Sequence, residues 1–228
     1  MTDRTIHAVI FDFDGLLVDS EPVQFEAWET YVAQFGAELP PDLRSRMYGT
    51  RLVDSARLVA DELRLPVSAE DIARGRDDLF LALVPGRIEA KPGAQSLLLE
   101  LKRRHVPTAL ATSGHRRYVD LALASAELLG QFDVEVTGDM VNRGKPDPET
   151  FLTAARLLDK LPTSCLVLED SPQGVAAACA AGMPVFAVPD GTAPGADVSA
   201  ATAVLRSLDE VIEAIERYGF TLSSASQG

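Results

Sequence analysis

The chain has 228 residues, 46% hydrophobic and 24% charged, which is ordinary globular usage and enough for a sizeable core with a smaller insertion. A formal charge of −13 excludes the basic field that holds nucleic acid or an anionic membrane surface. Any phosphate site must then be assembled from a few placed cations, backbone N–H groups or a metal.

The opening apolar run, Ile6 to Phe11 broken by His7, is too short for a signal peptide, and nothing reaches the length of a membrane span. A cytoplasmic protein is expected, monomeric because no long apolar heptad is present. The first buried run is Ala8-Val9-Ile10-Phe11. From about 19 to 87 the pattern turns helical without a convincing strand: Val23 to Phe35, Leu52 to Leu63 and Ala69 to Leu83. That is long for one crossover, so it is taken as a helical insertion, with Pro85-Gly86 and Pro92-Gly93 marking the return. Residues 1–18 and 88–228 are then the core, and 19–87 the insert.

Beyond the insert, apolar runs alternate with helical segments. Strands are expected at Thr108 to Ala111, Phe132 to Val136, Leu166 to Leu168 and Val185 to Val188. Helices are expected at Ala94 to Arg104, Tyr118 to Leu129, Pro148 to Leu158 and Gly174 to Ala181. Asp147 before Pro148 reads as an N-cap, Gly182 as a helix stop, and Ser207 with Glu210 as a capping box for the last helix. Short continuous apolar runs suit strands buried on both faces, and the alternation predicts an α/β, doubly wound parallel sheet. Cys165 and Cys179 are too few for a disulfide framework and too far apart for a metal clip, and both read as core. His7 and His105 read as structural, and Trp28 as helix core.

Chemistry-bearing residues cluster at the expected strand ends. Asp12 and Asp14, two apart on extended chain, face one side, and Gly15 lets the chain turn away. Two close carboxylates repel and are usually relieved by cations or a metal. Thr112-Ser113 follow the second strand and Glu169-Asp170 the fourth, while Lys145 sits in the stiff loop Gly144-Lys145-Pro146-Asp147-Pro148. Each has a plain structural alternative: a solvated turn, a hydroxyl turn, a capping acid pair, a surface lysine. Ligands of open α/β sheets bind beyond the carboxyl ends of strands, and the joint placement fits that rule.

The set DFDGLLVDS, ATSG, GKPDP and LEDSPQG resembles the four motifs of the haloacid dehalogenase superfamily, in order. The insert resembles the small helical cap of the phosphoglycolate phosphatase and β-phosphoglucomutase branch. The resemblance implies a Rossmann-like core of strand order 3-2-1-4-5 and a Mg²⁺-dependent phosphatase acting on small phosphorylated metabolites. It makes Asp12 the nucleophile and Asp14 the general acid and base. Thr112, Ser113 and Lys145 would hold phosphate. Asp12, Asp170 and the Asp14 carbonyl would hold Mg²⁺, with Glu169 either a further ligand or an acid that orients one. Asp14 separates this chain from the dehalogenases proper, which lack that second aspartate.

The insert holds no lysine or histidine between Asp19 and Arg87. A Schiff-base lysine of the phosphonate-cleaving branch is therefore absent, and arginine cannot replace it. Gln24 stands where β-phosphoglucomutases carry a histidine, which with the lysine-free insert places a sugar-phosphate mutase second; intact Asp12, Asp14, Lys145 and Asp170 place a non-catalytic phosphate-binding homologue third. Arg51 matches a cap loop that reaches substrate in relatives, or is an exposed arginine at a helix start. His115 and Arg116 are candidates for the distal end of the substrate, or a solvated helix N-terminus. Glu21 is a candidate acceptor for a substrate hydroxyl. Cap opening is expected to gate substrate access and product release.

Overall fold

The computed structural model describes residues 4–47, 52–189 and 197–223. In chain order, β1 (Thr5–Ile6) and β2 (Ala8–Phe11) precede four helices: α1 (Glu21–Ala33), α2 (Pro41–Met47), α3 (Leu52–Leu63) and α4 (Ala69–Leu83). Then follow α5 (Ala94–Arg103), β3 (Thr108–Ala111), α6 (Arg116–Ser125), β4 (Val134–Val136), α7 (Glu149–Leu157) and β5 (Cys165–Glu169). The chain closes with α8 (Pro172–Ala180), β6 (Val185–Ala187), β7 (Ala203–Val204), α9 (Val211–Arg217) and β8 (Thr221–Leu222). By contacts it divides into two compact units, Met1–Asp19 with Glu89–Gly228, and Ser20–Ile88.

The larger unit is built on a parallel sheet of order β4-β3-β2-β5-β6-β7. The five expected strands lie in the order 3-2-1-4-5, and β7 is added beyond the fifth. A separate parallel pair, β1 with β8, was not anticipated. Ala8, Ile10, Ala109, Ala111, Cys165 and Val167 share one core cluster with Phe151 and Ala154 of α7 and with Val175 and Ala178 of α8. The alternate residues Val9, Phe11, Leu110, Leu166 and Leu168 are also fully buried, so both faces of the sheet are covered. That double burial is why the strands read as continuous apolar runs.

Several local expectations need correction. The strand expected from Phe132 starts at Val134, because Asp133 is tied by hydrogen bonds to the backbone of Thr108. Phe132 instead sets its ring edge against Phe11, with centroids 5.9 Å apart. The strand expected to reach Val188 ends at Ala187. Asp147 does accept from the Glu149 N–H at 3.0 Å, but the helix begins at Glu149. Ser207 forms no side-chain cap, and Glu210 accepts from the Arg206 N–H at 3.4 Å instead of closing a box. Cys165 is core, its thiol pushed up to about 11 by burial, whereas Cys179 is exposed. Gly182 does stop α8, with φ +71°.

The smaller unit is helical. Phe25, Trp28, Val32, Leu43, Ala56, Val59 and Ile72 form its own core, which draws on all four helices. Ser68 caps α4 by accepting from the Asp71 N–H at 3.1 Å. Helix α2 was missed: seven residues with two buried side chains carry too little periodic signal.

Candidate active site

Strand register decides which residues can meet. Phe11 of β2 lies level with Leu110 of β3 and Leu168 of β5, so Asp12, Thr112 and the Glu169-Asp170 pair all sit at the carboxyl ends of three adjacent strands. Asp12 is locked there by its N–H to the Leu168 carbonyl at 3.0 Å, and Thr112 by its N–H to the Val136 carbonyl at 3.0 Å. The chain leaves β2 through a tight turn in which the Gly15 N–H meets the Val18 carbonyl at 2.9 Å. Gly15 has φ +84°, and a Cβ there would overlap the Asp170 carboxylate, so glycine is required twice over.

Lys145 arrives from the loop before α7. Glu149 accepts from the N–H groups of Asn142 and Arg143 at 2.9 and 3.1 Å, which folds that loop back on the helix start. The Lys145 side chain is 7% exposed and donates to Asp12 Oδ1 and, at 2.7 Å, to Glu169 Oε1. Its ammonium also lies 4.6 Å from the centre of the Phe151 ring. Glu169 is fully buried, and its Oε2 accepts from the N–H groups of Asp170 and Ser171, both at 2.8 Å, and from the Ser171 hydroxyl. A Cβ on Gly174 would overlap Glu169 Oε1, so α8 admits only glycine beneath that carboxylate.

Carboxylate oxygens of Asp12, Glu169 and Asp170 lie within 4.8 Å of one another, and the Lys145 ammonium bonds the first two. Burial pushes Asp12 up to about 7; Lys145 pulls it down, and Glu169 and Asp14 add to the rise. Burial works to lower Lys145, but Asp12 and Glu169 outweigh it and hold the lysine charged above its ordinary value. Carboxylates gathered in a buried site are stabilised by nearby cations, and an all-oxygen donor set suits Mg²⁺. Both oxygens of Glu169 already accept protein donors. Its contacts therefore favour the orienting role over a place among the ligands.

The remaining candidates divide. Thr112 is 2% exposed and its hydroxyl accepts from the Gly114 N–H at 3.0 Å, so its own proton can point to an anion. Ser113 is exposed beside it. His115 caps α6, its Nδ1 accepting from the Tyr118 N–H at 3.2 Å. Arg116 is drawn to Asp120 and Glu135 at 2.8 and 2.6 Å, an engagement that competes with any substrate contact. Glu21 opens α1 in the helical unit, half-buried. Arg51 lies outside the described residues. In the helical unit Gln24 accepts from Arg76 through both its carbonyl, at 2.9 Å, and its side-chain oxygen, at 2.6 Å. Arg76 is 3% exposed and lies beside the rings of Trp28 and Phe80.

Two residues that sequence reasoning passed over touch the same turn. Lys91 Nζ donates to the Gly15 carbonyl at 2.7 Å, and its N–H to Leu17 at 2.8 Å. The Tyr118 hydroxyl donates to Asp14 Oδ1. Neither stands in a recognisable motif, and no spacing in the sequence marks either side chain as facing the strand end.

Comparison with known proteins agrees with this geometry. The profile of the haloacid dehalogenase-like hydrolases matches residues 6–182. The chain belongs to that family. Among its relatives, (DL)-glycerol-3-phosphatase 2 of Arabidopsis thaliana is 37% identical over 203 residues, 86% of this chain and 83% of that protein. Hexitol phosphatase A of Escherichia coli is 34% identical over 215 residues, 93% of each chain. The crystal structure of CbbY from Rhodobacter sphaeroides in complex with phosphate superposes with a TM-score of 0.79 at 28% identity, covering 91% of this chain and 96% of that one. Among the described residues no helix is long and apolar enough to cross a membrane.

Proposed function

We propose that this haloacid dehalogenase-like hydrolase is a Mg²⁺-dependent phosphatase of small phosphate monoesters, with a sugar or polyol phosphate as substrate. The observation that carries the proposal is the buried Lys145 ammonium joining Asp12 to Glu169, with Asp170 alongside, at neighbouring strand ends. The named relatives act on phosphate esters of that size, by their descriptions.

In this reading Asp12 attacks phosphorus in line, forming an Asp12–phosphorus bond as the bond to the ester oxygen breaks. Asp14 gives its proton to the departing alkoxide. It then takes one from the water that cleaves the aspartyl-phosphate, returning Asp12 to carboxylate. Thr112 and Ser113 hold non-bridging oxygens, and Lys145 offsets the negative charge shared by Asp12 and phosphate. Asp12, Asp170 and the Asp14 carbonyl would hold Mg²⁺, which when bound supplies charge neutralisation to the phosphoryl group. Glu21, Arg51, His115 and Arg116 are the candidate contacts for the rest of the substrate.

The test is a panel of sugar and polyol phosphates and aryl phosphates, assayed with Mg²⁺ and with a chelator. Turnover of some esters is expected, lost on chelation and lowered on the order of 10³-fold or more in Asp12→Asn. An Asp12→Asn protein that keeps full activity would place the chemistry elsewhere. Conversion of a hexose 1-phosphate to its 6-phosphate faster than phosphate release would favour the mutase instead.

A further inference from the structure

We propose that Tyr118 is a positioning residue for Asp14, turning its carboxyl group so that Oδ2 is the oxygen that exchanges a proton with substrate; this rests on Asp14 being the general acid.

The backbone of Asp14 is well held. Asp14 and Val18 form an isolated bridge across the turn, and Lys91 ties down the next carbonyl, that of Gly15. Those contacts hold the backbone and leave the carboxyl group to its side-chain partners, Tyr118 among them. The terminal torsion of an aspartate is broad and roughly two-fold, so a carboxyl group on a rigid backbone still rotates. A donor fixed in space removes that freedom.

Tyr118 is such a donor. It stands in the first turn of α6, 4% exposed, and its hydroxyl meets Asp14 Oδ1 across 104 positions of chain. The phenol ring is held by Phe13 at 6.0 Å between centroids and by the His115 ring at 6.3 Å. The Tyr118 N–H is fixed in turn on His115 Nδ1. A Cβ on Gly114 would come within 3.0 Å of the Tyr118 ring, so the chain passes close on that side too. Position is thus set by helix, ring packing and cap together, and the hydroxyl has little room to wander.

Proton transfer follows from this geometry. With Oδ1 receiving the phenolic hydrogen, the acid proton resides on Oδ2. It passes from Oδ2 to the ester oxygen as the phosphorus–oxygen bond breaks, and the phenol keeps its own proton throughout. General acid catalysis contributes about 10²–10⁴-fold, and only when the acid is aimed at the leaving oxygen.

The test uses full-length enzyme and substituted phenyl phosphates whose leaving groups span a range of acidity. A good leaving group departs without a proton and does not need the acid, so kcat/KM separates aim from packing. For Tyr118→Phe, which keeps the ring, kcat/KM should fall roughly 10–100-fold for phenyl phosphate and less than about threefold for 2,4-dinitrophenyl phosphate. Asp14→Asn should show the same steepened dependence, larger, and the double variant should match Asp14→Asn alone. Thermal melting run in parallel reports the packing contribution separately. If Asp14→Asn steepens the dependence and Tyr118→Phe leaves it as in the parent, Tyr118 only packs and the inference is overturned while the phosphatase reading stands. If Asp14→Asn leaves it unchanged, Asp14 is not the acid and both go.

Discussion

Gly174 shows how much of the site hangs on one missing carbon. Its Cα faces Glu169 Oε1, the same oxygen that accepts from Lys145. Alanine in a helix normally gains about 1 kcal/mol over glycine. Here it would overpack a closed site, at about 1–3 kcal/mol, and disturb a buried ion pair whose breakage costs about 3–5 kcal/mol. The losses win. Gly174→Ala should lower the melting temperature by at least about 5 °C and cut kcat on the order of 10²-fold; an unchanged melt would mean that Glu169 moves aside freely. At this scale the sequence was most informative where strand ends deliver side chains directly. Asp12, Thr112, Glu169 and Asp170 each follow an apolar run, so the register that aligns the runs aligns them as well. Tyr118 and Lys91 could not be read this way. Each reaches the turn by projecting from a helix start or a connecting loop, and that direction depends on packing which spacing does not encode. Arg116 is set by packing in the same way: its position suggested a substrate contact, and its guanidinium pairs with Glu135 of β4.

Elements tell a similar story. Continuous burial made β2, β3, β5 and β6 legible, whereas β1, β7 and β8 are two residues each and too short to carry a period. Helix ends were legible where glycine stops them, as at Gly182, and not where another residue does the work. Helix α6 is closed by Glu127, an exposed non-glycine residue at φ +57°. The backbone there still makes the bond from the Leu128 N–H to the Leu123 carbonyl at 2.8 Å. A left-handed conformation costs a non-glycine residue about 1–2 kcal/mol, and glycine gives back part of that through its freer unfolded chain. Glu127→Gly should therefore stabilise by about 0.5–1 kcal/mol and raise the melting temperature by roughly 1–4 °C. A lower melting temperature would show that the Glu127 side chain holds the turn in some other way.

Across the whole molecule, two compact units each carry a core, and the chemistry proposed here is assembled entirely within the larger one. Its residues come from widely separated stretches, 12–14, 112–113, 145 and 169–170, and a parallel sheet is what brings such stretches to one edge. A net charge of −13 makes the molecule as a whole repel phosphate, so the buried Lys145 ammonium and the cation suited to the carboxylates must do the attracting locally. The most direct measurement is mass spectrometry of the protein quenched in acid during turnover of a phosphate ester with Mg²⁺. The account predicts a phosphoryl group on the peptide containing Asp12, mapped to that residue by borohydride reduction of the acyl phosphate and missing from Asp12→Asn. Steady turnover with no phosphorylated peptide, or with the phosphoryl group on another side chain, would contradict it.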